Sequence, residues 1–296
     1  MKLPAGLRVG VCSHTGLVRG ANEDDYLLST PQHVAGAGFI AAVADGMGGA
    51  AGGAEASRTA LRALGAALLE GDGAQRMRDG FVSAGARVAE SAAAIPALRD
   101  MGTTLTALWL QDGAGAFGHI GDSRLYRCRD DQLSALTVDH SLRQGESLLT
   151  RCIGGGQAEC EPDCDRFEVV AGDRFLLCTD GVWNVVPERV LATIVGVRDP
   201  QQAAERLVRA ALDGGGPDNA TALIVDVVDP RDSENQDVDL PRHERPGARA
   251  MWPAAGSLRA PLWPWLLLLL SVCILVVGAL RLAGVDLLRL LGLGSW

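Results

Sequence analysis

Three apolar runs of strand length in this chain end at an aspartate, and a fourth begins just beyond one. "FIAAVAD" stops at Asp45, "GAFGHIGD" at Asp122 and "RFLLCTD" at Asp180, while Asp218 stands before "TALIV". A carboxylate that follows buried residues is costly unless something positive meets it. Several at once repel one another unless cations hold them together. The sequence therefore calls for a fold that gathers strand ends around a positive charge. An all-oxygen ligand set selects hard cations, magnesium or manganese, over zinc. Five glycines follow Asp45 within eight residues. Gly46, Gly48 and Gly49 allow a tight turn that brings a backbone carbonyl close to an ion.

The remaining pattern up to Val228 predicts an α+β domain. Strands are expected at 38–45, 104–110, 115–122, 173–180 and 221–228, and "QDGAG" supplies an Asp-Gly hairpin turn between the second and third. Helices are expected at 54–70 and 75–95, and a third opens with Asp199 as cap, Pro200 in the first turn and Gln202 completing a capping box. Adjacent strands without intervening helices imply antiparallel pairing. Runs such as 175–178, apolar on both faces, imply an antiparallel β-sandwich flanked by helices. With aromatics at 4% of a chain that is 48% hydrophobic, the core has to be built from Ala, Leu and Val.

The formal charge of −9 argues against a nucleic-acid partner. The opening "MKLPAGLRVGVC" has one lysine and no sustained apolar stretch, so no export signal is expected. The seven scattered cysteines then read as thiols in a reducing compartment, and Cys152, Cys160 and Cys164 lack the CxxC pair of a zinc site. "GMGGAA" formally fits a dinucleotide fingerprint. Asp45 would set a negative charge beside the pyrophosphate, however, and no acid-ending strand follows about 20 residues on.

Beyond Val228 the character changes. Residues 229–261 are rich in charge and proline and read as a linker. "LWPWLLLLLSVCILVVGAL", residues 262–280, then runs nineteen positions without a charge, enough to cross a bilayer as one transmembrane helix, with Trp263 and Trp265 at one end. Residues 281–296 form a short tail. Arg245, Arg249 and Arg259 precede the span and Arg281 and Arg289 follow it, a slight bias toward a cytoplasmic N-terminal side.

Seven motifs occur in order between Arg8 and Val228: "VRGANEDD", "VADGMGGAAGGAEAS", "MGTTLTALWL", "GHIGDSRLYR", "LTVDHSL", "LLCTDGVW" and "GPDNATALIV". Together they resemble the bacterial branch of the PPM family, the metal-dependent Ser/Thr protein phosphatases of type 2C. The resemblance implies α-β-β-α layers with two Mn2+ or Mg2+ ions at one edge of the sandwich and a weaker third. It implies that Asp45 bridges the pair, that Asp180 and Asp218 bind one ion, and that Asp24 and the Gly46 carbonyl bind the other. Asp122 matches the acid that holds the third ion, Arg19 the arginine that grips the substrate phosphate, and Glu23 a contact to metal-bound water. The implied reaction is hydrolysis of phosphoserine and phosphothreonine in proteins by a metal-activated water. Phosphoproteins and a Ser/Thr kinase of opposing action are the implied partners, with membrane lipid around the C-terminal helix.

The chain departs from the family at two places. Met47 stands where some members carry a histidine general acid, which leaves the leaving-group proton donor unassigned. After Asp139, "DHSLRQGESLLTRCIGG" lacks much of the flap usual in bacterial members, which bears on substrate choice. His14 and His119 lie near the motifs and read as structural. The alternative to an enzyme is a silent phosphoprotein-binding module at the membrane, which has no need of five placed carboxylates.

Overall fold

The alternation within one short strand explains the architecture. Phe175 and Leu177 point into a core shared by two sheets, while Leu176 and Cys178 point the other way into a second core under helices. A strand buried on both faces has no polar side, which is why this run reads as continuously apolar. The computed structural model describes residues 6–29, 38–49, 52–67, 73–142, 149–156 and 161–229. The expectations for the linker beyond Asp229, the span at 262–280, the tail and Cys160 lie outside those residues. Among the described residues no helix is long and apolar enough to cross a membrane.

In chain order the strands are β1 Leu7–His14, β2 Asp24–Leu28, β3 Phe39–Met47, β4 Gly102–Thr103, β5 Leu105–Gln111, β6 Ala114–Ile120, β7 Arg124–Arg129, β8 Gln132–Ala135, β9 Ile153–Gly154, β10 Asp163–Glu168, β11 Arg174–Cys178 and β12 Ala220–Val227. The helices are α1 Gly52–Ala67, α2 Gly73–Ala94, α3 Asp180–Trp183, α4 Glu188–Val195 and α5 Pro200–Asp213. One sheet runs β1-β12-β11-β7-β8 and the other β10-β6-β5-β3-β4-β9, with β2 also on β3. Every pairing is antiparallel.

The inner faces supply Val9, Val11, Phe39, Val43, Leu108, Leu125, Phe175, Leu223 and Val225 to one core. Helices α4 and α5 close the outer face of the first sheet with Leu191, Ala203, Leu207 and Ala211 against Leu176 and Ile224. Helices α1 and α2 pack on the second sheet and bury Leu61, Leu64, Met77 and Phe81. Each such side chain contributes roughly 1.5–3 kcal/mol by leaving water.

The layered α+β reading holds, and so do the hairpin and the cap. Asp112 and Gly113, with φ of 48° and 78°, form the two-residue turn between β5 and β6. The Asp199 carboxylate accepts the Gln202 amide at 3.0 Å. Three boundaries at the acids differ: β3 runs past Asp45 to Met47, β6 stops at Ile120 so that Asp122 lies in the connection to β7, and β11 stops at Cys178, so that Asp180 opens α3. The strands β1, β2, β4, β7, β8, β9 and β10 had no counterpart in the pattern, because each is short or lacks a sustained apolar run.

Candidate functional site

β3 carries Asp45 to the edge of the sandwich and is fixed there on both sides. The Asp45 amide donates to Thr104 Oγ1 at 3.0 Å, and its carbonyl accepts from the Thr104 amide at 2.9 Å and from Thr103 Oγ1 at 2.9 Å. Gly46 comes next because nothing larger fits. A Cβ there would lie 2.1 Å from the Gly53 carbonyl oxygen and 2.8 Å from that of Glu23. The turn beyond it uses Gly48 and Gly49 at φ of 119° and 80°, as the glycine run predicts.

The other acids arrive from different elements. Asp122 lies in the connection from β6 to β7, where its carbonyl accepts the Trp183 indole N–H at 2.9 Å. Asp180 is the first residue of α3, and Asp218 precedes β12. Arg19 donates to Asp218 Oδ2 at 2.7 Å from a side chain that is 53% exposed. These five residues, with Glu23, Gly46 and Met47, line one cavity of about 540 Å³. No histidine is among its lining residues, and Met47 occupies the position after Gly46.

Asp24 is placed differently. It is the register partner of Asp45 across β2 and β3 but does not line the cavity. Its Oδ2 accepts the hydroxyls of Thr221 at 2.7 Å and Thr179 at 2.8 Å. That leaves Oδ1, buried and without a hydrogen-bond partner, and the same is true of Asp180 Oδ1.

The electrostatics follow from this crowding. Burial, then Asp24 and Asp180, push the Asp45 carboxyl well above the ordinary range. Burial also lifts Asp122 to about 7, with Asp180 and Asp139 adding to it. Asp24 rises to about 7 through burial, in spite of its two hydroxyl donors. Asp180 is raised by burial and by Asp218, and Glu23 by burial, with Arg19 opposing. Neighbouring carboxylates that destabilise one another's charge make a site poised for a cation.

The donor set fits a hard ion. It consists of carboxylate and carbonyl oxygens, two of them buried and unpartnered. Among the described residues, no group of three or more His, Cys, Asp or Glu side chains forms an ion site by itself. Magnesium-like ions keep several waters and take one or two carboxylates each. A closed zinc site would need four protein ligands.

Residues that the sequence left unassigned complete the site. Thr104 lines the cavity and, besides holding Asp45, shares a 2.8 Å bond with Ser123. Thr179 and Thr221 support Asp24, and Asn219 ties the Arg19 loop to the Asp218 loop. Thr179, Asn219 and Thr221 each lie within three positions of a candidate aspartate, in "CTDG" or "DNAT", whereas Thr104 stands in "MGTTLTALWL". That neighbourhood was the available signal. His119 is fully buried and bonds Thr106 Oγ1 at 2.9 Å and the Val138 carbonyl at 3.1 Å, and His14 Nδ1 accepts the Gly16 amide at 2.9 Å. Both histidines are structural here.

A family model described as protein phosphatase 2C matches residues 14–212. The serine/threonine protein phosphatase PstP of Mycobacterium tuberculosis is 37% identical over 245 residues, covering 75% of this chain and 45% of PstP. The chain thus spans about half the length of that relative. Protein phosphatase PhpP of Streptococcus pneumoniae is 32% identical over 206 residues, 62% of this chain and 83% of PhpP. The structure is also similar to the catalytic domain of PstP solved in complex with two manganese ions. Their TM-score is 0.67 at 34% identity, over 75% of this chain and 99% of that one. Sequence, architecture and the set of acids at the sandwich edge agree, and the chain belongs to the protein phosphatase 2C family.

Proposed function

We propose that the chain is a metal-dependent phosphoprotein phosphatase acting on phosphoserine and phosphothreonine, with residues 1–228 as its phosphatase domain. The observation that carries this reading is one cavity wall on which Asp45, Asp122, Asp180 and Asp218 face each other beneath Arg19. Support comes from the named activities of PstP and PhpP and from the manganese ions in the PstP structure.

Asp45 and the Gly46 carbonyl would hold Mn2+ or Mg2+ together with Asp180 and Asp218, and Asp122 would hold a weaker third ion. Asp24 would act from below through Oδ1, and Glu23 through water. Bound there, the ions supply an activated water and positive charge toward the phosphoryl group. Arg19 acts at the rim. Asp218 aligns its guanidinium, and its remaining N–H groups can meet two phosphoryl oxygens in parallel, a geometry lysine lacks. The β-sandwich fixes the acids at or beside its strand ends, so the phosphate meets a preorganised wall.

The apolar sequence 262–280 would anchor the chain in a membrane through the 229–261 linker, with the phosphatase domain on the cytoplasmic side. Phosphoproteins made by a Ser/Thr kinase would be its substrates.

The test is turnover by the full chain of p-nitrophenyl phosphate and of phosphoserine and phosphothreonine peptides, with manganese and with chelator. Metal-dependent release of phosphate is expected from all three. Phosphopeptide binding without turnover would replace the enzyme by a binding module. For the anchor, protease added to sealed right-side-out vesicles should spare residues 1–228, and digestion from outside would refute the orientation.

A further inference from the structure

The loop that presents Arg19 is not held by packing. Its two large apolar residues, Leu17 and Val18, are 64% and 72% exposed. Yet an arginine that is to meet two oxygens at once needs its backbone fixed to a fraction of an ångström. Hydrogen bonds from one neighbouring side chain supply that constraint.

Asn219 is 4% exposed, and both donors and the oxygen of its carboxamide are engaged. Nδ2 donates to the Thr15 carbonyl at 2.7 Å and to the Ala21 carbonyl at 2.9 Å, while Oδ1 accepts the Glu23 amide at 2.8 Å. The two carbonyls flank Arg19 on either side, so one side chain grips both ends of the loop. The Leu17 amide adds a bond to the Gly216 carbonyl at 2.7 Å. Gly16, at φ 82°, lets the two loops touch, since a Cβ there would lie 2.2 Å from the Asp218 carbonyl oxygen. The side chain of Asn219 makes no hydrogen bond to the Asp218 carboxylate, which accepts the Asn219 backbone amide at 2.8 Å and Arg19 at 2.7 Å.

We propose that Asn219 is the positioning residue for Arg19: its carboxamide clamps the Thr15–Ala21 loop so that the guanidinium stands over the carboxylate wall. The inference rests on the phosphatase reading and adds to it how substrate phosphate is oriented. Aspartate cannot replace it, because a carboxylate would set acceptor oxygens against two carbonyls and lose both donors.

A double-mutant cycle with Arg19 in the full chain tests the proposal. Asn219→Ala is expected to lower kcat/KM for a phosphopeptide about tenfold, chiefly through KM, because phosphate is gripped in ground and transition states alike. In an Arg19→Ala background the same substitution should cost less than about twofold, since nothing is left to position. Equal costs in the two backgrounds would overturn the proposal. A second readout needs neither metal nor turnover. Amide exchange in the metal-free chain should quicken at Leu17 and Glu23 in Asn219→Ala while β12 stays protected, and unchanged exchange at both amides would overturn it. Should Asn219→Ala not fold, Gly16→Ala separates the same loops and should give the same loss of coupling to Arg19; independent costs there count against the clamp. A wild type without metal-dependent turnover would remove the phosphatase reading instead, and the exchange experiment would then decide the clamp alone.

Discussion

Two groups of aspartates sit in the same sandwich and are treated in opposite ways. Asp173, Asp226 and Asp139 each meet an arginine through two hydrogen bonds. Arg129 reaches Asp173 at 2.6 Å, Arg174 pairs with Asp226, and Arg124 reaches Asp139 at 2.7 and 2.8 Å. Burial alone would raise Asp173, and the Arg129 guanidinium overcomes it, leaving the carboxyl below its ordinary range. Asp45, Asp122 and Asp180 have no such partner: burial raises all three, with Asp180 adding to the rise at Asp45 and Asp122, and Asp218 to that at Asp180. The first group tightens loops and strand ends. The second withholds its countercharge so that something from solution can supply it, a local cost that marks function.

The comparison breaks most visibly at Asp45. Asp45→Asn removes the carboxylate proposed to be shared between ions, and the remaining acids should hold manganese poorly. Turnover is expected to fall by at least about 10²–10³, alongside a loss of manganese affinity in calorimetry. Wild-type affinity and turnover in this variant would end the metal assignment.

The pH dependence of the metal-free chain sharpens the contrast. Asp24 and Asp122, at about 7 when folded, bind more protons folded than unfolded. Their contribution to stability is complete below the unfolded value near 4 and is lost as pH rises through about 7. Asp163, lowered to about 2 by Arg151 and His140 against the effect of burial, contributes above that unfolded value and loses it as pH falls. Buried His119, lowered to about 4, also weakens the fold as pH falls from 6.5. A difference measurement separates these. Relative to Asp45→Asn, the metal-free wild type should melt progressively lower between pH 4 and pH 7, by an amount on the order of a few kcal/mol. Manganese should reverse the difference, because it binds the wild type more tightly than the variant. A constant offset across that window would show that the acids do not compete.

In the paired group the expected effect is smaller and falls on stability rather than rate. Asp173→Asn strands Arg129, which is 32% exposed. With solvent screening the pair, the loss should be small, about a few degrees in thermal melting, with kcat unchanged below the transition. Among the cavity acids the smallest change in rate is expected at Asp122→Asn. Manganese binding at the other acids should persist, and phosphopeptide turnover should drop by about one power of ten or less. An effect as large as that at Asp45 would merge the proposed third site with the first two.

The acids of the site were legible in the sequence because each closes or opens an apolar run. Asp45, Asp122, Asp180 and Asp218 line one cavity with Arg19, as their positions at strand ends suggested. Asp24 was harder to place. Sequence shows a carboxylate after "RGANE" but not that Thr179 and Thr221, about 155 and 197 residues away, consume one of its oxygens. Asn219 stayed hidden for a similar reason, since an asparagine beside a candidate ligand gives no hint of three partners near the other end of the chain. Strands such as β10, with Asp163, Asp165 and Glu168, lack a run long enough to register. Long-range hydrogen bonding, more than local pattern, was what the sequence concealed.

The order in which the chain is made gives the site a timetable. β1 pairs with β12 alone among the described strands, so the earliest of these waits for the latest before it has a strand neighbour. Asp218 and Asn219 belong to the same late segment and complete a wall begun at Arg19 and Asp45. A nascent chain therefore carries its earliest acids for most of its synthesis without the residues that finish the cavity. Contacts so distant in sequence form late in folding as well. Released fragments ending before residue 218 should be catalytically silent, and a growing polypeptide would acquire activity in one step, as its final strand docks.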